Sequence, residues 1–250
     1  MQVFDSMGTT VSLRFAGALP GPAVRAAVEG VFAELDLRFS LYRRDSEISR
    51  VARGELRLPE TSGTLRDAYA EALDWSRATA DRFTPHRPDG VLDLSGIIKA
   101  HALTAAGRVL DDAGEADWLL NAGGDILRRG THHGAAWRIG IIDPDSRATL
   151  LCAVELAGTR LAVATSGTAE RGEHIWRAPA RNAAARYRQV TVRADDIVTA
   201  DVLATALLAG GPDRADDILD RFDVDILTVD DHGNLTATPR LRDAPGLAPA

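Results

Sequence analysis

The chain has 250 residues, 45% hydrophobic and 26% charged, a balance that fits a soluble globular protein and excludes collagen-like, coiled-coil and disordered classes. Its 29 basic residues face 36 acidic ones, for a net charge of −7, so the basic excess of a general nucleic-acid binder is missing. Lys99 is the only lysine, and every other basic residue is arginine.

Thr10 to Phe15 alternates apolar and polar residues and predicts the first strand. Helical spacing of apolar residues predicts helices over Gly21 to Leu37 and Thr64 to Ala80, with an irregular basic stretch between them. The run DRFTPHRPDG is loop by composition. Val91 to Leu94 is a short strand candidate, followed by a helix over Ile97 to Leu110. Asp117 to Leu120 then runs into a Gly123-Gly124 turn.

Further strands are expected at Trp137 to Ile142, Leu150 to Leu156, Leu161 to Thr165 and Gln189 to Val192. Cys152, the single cysteine, lies in an apolar run and is expected to be a buried strand thiol, with no internal disulfide possible. Two helices, Val198 to Leu208 and Pro212 to Arg221, precede a hairpin formed by Ile226 to Val229 and Leu235 to Ala237. This order predicts an α+β fold with mostly antiparallel sheet in a single domain over 1–240, ahead of a mobile tail over 241–250. No leader pattern and no apolar run of membrane-spanning length occurs, so the sequence reads as cytoplasmic, without a membrane anchor.

Three segments could carry chemistry. In Leu92 to Lys99, a strand ends in Asp93, a Ser95-Gly96 turn and a helix start bearing Lys99. This is either an anion site or a plain turn with a surface lysine. Asn121-Ala122-Gly123-Gly124-Asp125 could bring backbone amides close to a ligand, or be an ordinary turn. In Thr199 to Ala206, a helix would put Asp201 and Thr205 on one face, offering oxygen ligands to a hard cation. The alternative has Asp201 complementing the helix dipole and Thr205 packed inside. No H-E-x-x-H, Walker A loop, G-x-G-x-x-G or nucleophile elbow is present.

Taken together in chain order, the segments resemble the ApbE family of FAD:protein FMN transferases over Met7 to Gly211. The resemblance rests on Met7-Gly8-Thr9, Ser40-Leu41-Tyr42, DLSGIIKA, NAGGD, Asp143-Pro144, Thr165-Ser166-Gly167, His174-Ile175 with Pro179, and ADVLATAL. It implies mixed, largely antiparallel sheets with flanking helices in a T-fold-like architecture. The implied activity is Mg²⁺-dependent transfer of FMN from FAD to a Ser or Thr hydroxyl of an acceptor flavoprotein, with release of AMP.

The matching positions for FAD are Met7, Tyr42, Arg82, Phe83, Thr84, Asp93, Lys99 and Trp176, with Asn121, Gly123, Gly124 and Asp125 of the turn and Thr165 and Ser166. Tyr42 would stack on a ring of the ligand or anchor its loop half-buried. Asp201, Thr205 and the Gly96 carbonyl match the metal ligands. His174 matches the general base, with phosphate binding or pocket shaping as its alternative. Catalysis would fall to His174, Asp201 and Lys99. Departures from the family pattern include Thr84 and Thr104 where acids are usual, Ala204 in the metal helix, and a short segment from Phe83 to Asp93. An FAD pyrophosphatase and a non-catalytic FAD-binding protein are the competing readings.

Overall fold

Period-two burial sets the architecture. In β3 (Trp118–Ala122), Trp118, Leu120 and Ala122 point to one face of the sheet and Leu119 to the other, each into its own apolar cluster. The computed structural model describes residues 1–167, 186–212 and 215–243. Eight strands form one sheet in the order β1-β2-β3-β4-β7-β8-β9-β10, with every neighbouring pair antiparallel. Besides β3 these are β1 (Gln2–Ser6), β2 (Thr9–Phe15), β4 (Asp125–Arg129), β7 (Ala162–Gly167), β8 (Tyr187–Ala194), β9 (Asp225–Asp230) and β10 (Leu235–Ala237).

Three helices cover one face: α1 (Pro22–Phe39), α4 (Ser95–Asp112) and α5 (Ile197–Gly210). Shorter or outlying helices are α2 (Glu47–Ala52), α3 (Gly63–Ala78), α6 (Ala215–Leu219) and α7 (Pro239–Arg242). On the opposite face lies a two-stranded ribbon of β5 (Trp137–Asp143) and β6 (Ser146–Leu156). Trp137, Ile139, Ile141, Cys152, Val154 and Leu156 of this ribbon pack on Leu119, Ile126, Val163 and Leu227 of the sheet. The result is a three-layer α+β arrangement of helices, sheet and ribbon, in which Cys152 is buried as expected.

Several expectations are corrected. Val91 to Leu94 is not a strand. Its pairing is limited to a single bridge from His86 to Leu92, because the Asp93 carboxylate is already turned to accept the Ser95 amide at the start of α4. β1 and β4 were not foreseen. The basic stretch contains α2, whose amino end is capped by the Ser46 hydroxyl. Residues 241–243 are not the mobile segment expected, since Leu241 of α7 is 1% exposed, while 244–250 lie outside the described residues. No described helix is long and apolar enough to cross a membrane.

Candidate functional site

The segments singled out in the sequence gather at one end of the sheet. Ala122 pairs with Asp125 across a two-residue turn in which Gly123 has φ 60° and Gly124 φ 93°. Positive φ at both central residues makes a tight hairpin of the primed type, and glycine adopts it without a Cβ penalty. The two glycine amides of the turn are already engaged. Gly123 N–H donates to the Thr10 carbonyl at 3.2 Å, and Gly124 N–H to the Asn121 side-chain oxygen at 2.9 Å. What remains for a ligand is bare backbone that can be approached closely.

A cavity of about 580 Å³ opens on the ribbon side of this turn, within the size range of small-molecule sites. Its lining includes Thr10 and Ser12 of β2, Asn121, Gly123, Gly124, Thr165 and the Ile139 to Pro144 end of the ribbon. Gln189, 7% exposed, also lines it and donates to the Ile142 carbonyl at 3.0 Å, tying the ribbon to β8. Gln189 and the β2 hydroxyls escaped the sequence reading. The one available signal was their alternation with buried apolar neighbours, which puts Ser12 and Asn121 on the ribbon face.

The next residue along each strand points the other way, toward the helices. Asp125, 1% exposed, accepts the Thr165 amide at 3.3 Å and forms an ion pair with Lys99 of α4, whose side chain is 13% exposed. The surface-lysine reading is thereby excluded. Thr165 shares a hydroxyl hydrogen bond of 2.9 Å with Thr191 across β7 and β8. Ser166, on the helix face, lies 3.2 Å, hydroxyl to hydroxyl, from Thr205 of α5.

Asp201 stands one turn before Thr205 and is 5% exposed on a helix otherwise built almost wholly of Ala, Val, Leu, Ile and Thr. Its helix-dipole alternative loses force, because Asp196 holds the N-cap position and accepts the Thr199 amide. Asp201, Thr205 and the Gly96 carbonyl are a carboxylate, a hydroxyl and a carbonyl. Such an all-oxygen set with one charge fits a hard cation that keeps water or phosphate in its remaining positions. Among the described residues no group of three or more His, Cys, Asp or Glu could hold a metal.

Gly96 is fitted to its surroundings. A Cβ there would come within 3.0 Å of the Phe83 ring, so the missing side chain seats that ring, which is 4% exposed, against the start of α4. The chain reaches Phe83 through two consecutive left-handed residues, Ala80 at φ 51° and Asp81 at φ 60°, held by a Ser76 to Asp81 hydrogen bond of 2.7 Å. Arg82 and Thr84 flank the ring half-buried, and the Thr84 hydroxyl accepts the His86 amide. Met7 turns β1 into β2 at φ 53°. Tyr42 is 88% exposed, which rules out the half-buried anchor and leaves its ring open to a partner. His174 and Trp176 lie outside the described residues.

The model of the ApbE family matches residues 7–89 and 83–228, most of the chain. The chain belongs to the ApbE family. The two parts of the match overlap at 83–89. An FAD:protein FMN transferase of Rhodobacter capsulatus is 28% identical over 233 residues, which are 88% of this chain and 41% of that relative's length. This ApbE chain therefore spans about two fifths of that protein.

Solved ApbE structures share the fold. A flavin transferase from Vibrio cholerae superposes with a TM-score of 0.77 at 22% identity, covering 96% of this chain and 97% of that one. The ApbE protein of Thermotoga maritima gives 0.78 at 21% identity with the same coverage. The Pseudomonas stutzeri flavinyl transferase gives 0.73 at 20% identity over 95% of this chain and 94% of its own.

Proposed function

We propose that this ApbE-family chain is an enzyme that transfers FMN from FAD to a Ser or Thr hydroxyl of an acceptor protein, releasing AMP, with Mg²⁺ as its cofactor. The observation that carries this reading is the Ser166 to Thr205 contact. It joins the helix bearing Asp201 and Thr205 to a strand whose adjacent residues, Thr165 and Gly167, line the cavity. A dinucleotide whose one half fills the cavity can reach the helix side only around the end of the sheet. There the Gly123-Gly124 turn lets a pyrophosphate approach without side-chain hindrance.

The reaction asks little covalent chemistry of the protein. The acceptor oxygen attacks the phosphorus next to riboflavin, the bond from that phosphorus to the bridging oxygen breaks, and AMP leaves with the bridging oxygen and its electron pair. A Mg²⁺ ion held by Asp201, Thr205 and the Gly96 carbonyl would neutralise charge on the phosphates. The chain's own work is orientation. Thr10, Ser12, Asn121 and Gln189 offer hydrogen bonds inside the cavity, and the half-buried glycine turn guides the path of the pyrophosphate. His174 is the proposed acceptor of the incoming hydroxyl's proton, since an imidazole titrates near neutrality.

The test incubates the chain with FAD, Mg²⁺ and an acceptor protein carrying a Ser/Thr flavinylation motif, followed by mass spectrometry of the acceptor. An adduct of FMN mass that disappears with EDTA supports the proposal. Bound, intact FAD with no adduct overturns it.

A further inference from the structure

Lys99 lies one helical turn after Gly96, on the same side of α4, so a group that holds Lys99 also fixes where the start of that helix sits. Its partner is Asp125, the first residue after the Gly123-Gly124 turn and 1% exposed. The other oxygen of that carboxylate accepts the Thr165 amide at 3.3 Å, and Thr165 lines the cavity. One buried carboxylate thus ties together α4, the two-glycine hairpin and β7, which approach the sheet end from three distant parts of the sequence.

An ammonium so placed is engaged by a protein carboxylate before any ligand arrives. We propose that Lys99 and Asp125 form a positioning brace, in which Lys99 acts on ligand binding through Asp125 and the glycine turn and is not itself a phosphate contact. This rests on the functional reading above and refines the catalytic role that the family resemblance implies for Lys99. The geometry also gives a reason for the chain's only lysine. A compact ammonium fits beside a carboxylate that is almost fully enclosed, whereas a guanidinium fork needs room for two parallel contacts. Removing either partner leaves the other buried and uncompensated, so each single change should disturb the same turn.

The test is a double-mutant cycle on FAD affinity, using Lys99→Met, Asp125→Asn and the double variant, with dissociation constants measured by flavin fluorescence well below each variant's melting temperature. The brace gives a weakening of about tenfold for either single variant and little further loss in the double, because the second change removes an interaction already gone. If Lys99→Met carries its full penalty in the Asp125→Asn background, Lys99 contacts the ligand directly and the brace is wrong. A fall in melting temperature with unchanged FAD affinity would reduce the pair to a purely structural one and also overturn the proposal. Should Lys99→Met fail to fold, Lys99→Arg replaces it in the cycle, with the same coupled loss expected. Absence of FAD binding by the unaltered chain is a different result. It removes the functional reading itself, and the brace's part in it.

Discussion

The hydroxyls of Ser166 and Thr205 lie 3.2 Å apart, joining a strand that borders the cavity to the helix that carries Asp201. A threonine that ligates a cation through an oxygen lone pair must send its proton elsewhere, and the Ser166 oxygen can accept it. Ser166→Ala is therefore expected to weaken Mg²⁺ binding by about tenfold. Calorimetric titration of Mg²⁺ into the FAD complex measures this. Equal affinities in the two proteins would disconnect the hydroxyl pair from the metal.

The Phe83 ring and Gly96 make a second, separable contact. Phe83→Ala empties a well-buried site and should cost about 3–5 kcal/mol of stability. Gly96→Ala is expected to behave differently. The gain in helix propensity, about 0.5–1 kcal/mol, offsets the crowding of the ring, so the melting temperature should barely move. The displaced first turn of α4 should still weaken Mg²⁺ binding. Denaturant unfolding of both variants beside a Mg²⁺ titration separates packing from position.

At the far side of the sheet, Asp225 is shared by Arg193 at 2.9 Å and Arg160 at 3.2 Å, both with side chains 10% exposed. Asp225→Ala takes a buried carboxylate from both enclosed guanidinium groups, leaving Arg160 with Asp195 and Asp223 and Arg193 with the Glu155 carbonyl, and should cost about 3–5 kcal/mol. FAD affinity below the melting transition should be unchanged, because none of the three lines the cavity. The neighbouring Asp223 adds a pH dependence. Hydrogen bonds from Arg240 and then Arg160 hold its carboxyl below the usual carboxylate range. A depressed folded value means that its contribution is present above the ordinary carboxylate pKa and is lost as the pH falls through the lowered one. Acid titration followed by hydrogen exchange should show α7 loosening in that window in the unaltered protein, whereas in Asp223→Asn α7 is equally loosened at every pH and this transition is missing.

Burial raises the Cys152 thiol above its ordinary pKa, so it stays protonated and enclosed beneath the ribbon. An aromatic disulfide reagent should leave it untouched in the native protein and label it completely in denaturant. Rapid labelling under native conditions would mean that the β5–β6 ribbon opens readily.

Local pattern made much of the framework legible. The alternation of Val11, Leu13 and Phe15 marked β2, helical spacing marked α1 and α3, and the joint order of DLSGIIKA, NAGGD and ADVLATAL pointed to the family. Long-range pairing was not legible. β1 has an ordinary amphipathic sequence that becomes a strand by pairing with β2, whereas β4 carries a local signal, the Gly-Gly turn before Ile126 and Leu127 that marks a hairpin. The Lys99 to Asp125 pair lies 26 positions apart along the chain (125 − 99), and no spacing rule links a helix lysine to a strand carboxylate at that distance. Likewise, no local pattern in NAGGD decides between a ligand site and an ordinary turn, because one of the two acceptors that occupy the glycine amides belongs to Thr10 on another strand.

The most direct measurement of the central claim is the stoichiometry of AMP against acceptor-bound FMN in a reaction containing FAD, Mg²⁺ and acceptor. Transfer requires one AMP for each adduct, with little free FMN and no AMP when the acceptor serine or threonine is replaced by alanine. AMP and free FMN released at the same rate with or without acceptor would mean that water takes the place of the hydroxyl, and would contradict the assignment as a flavin transferase.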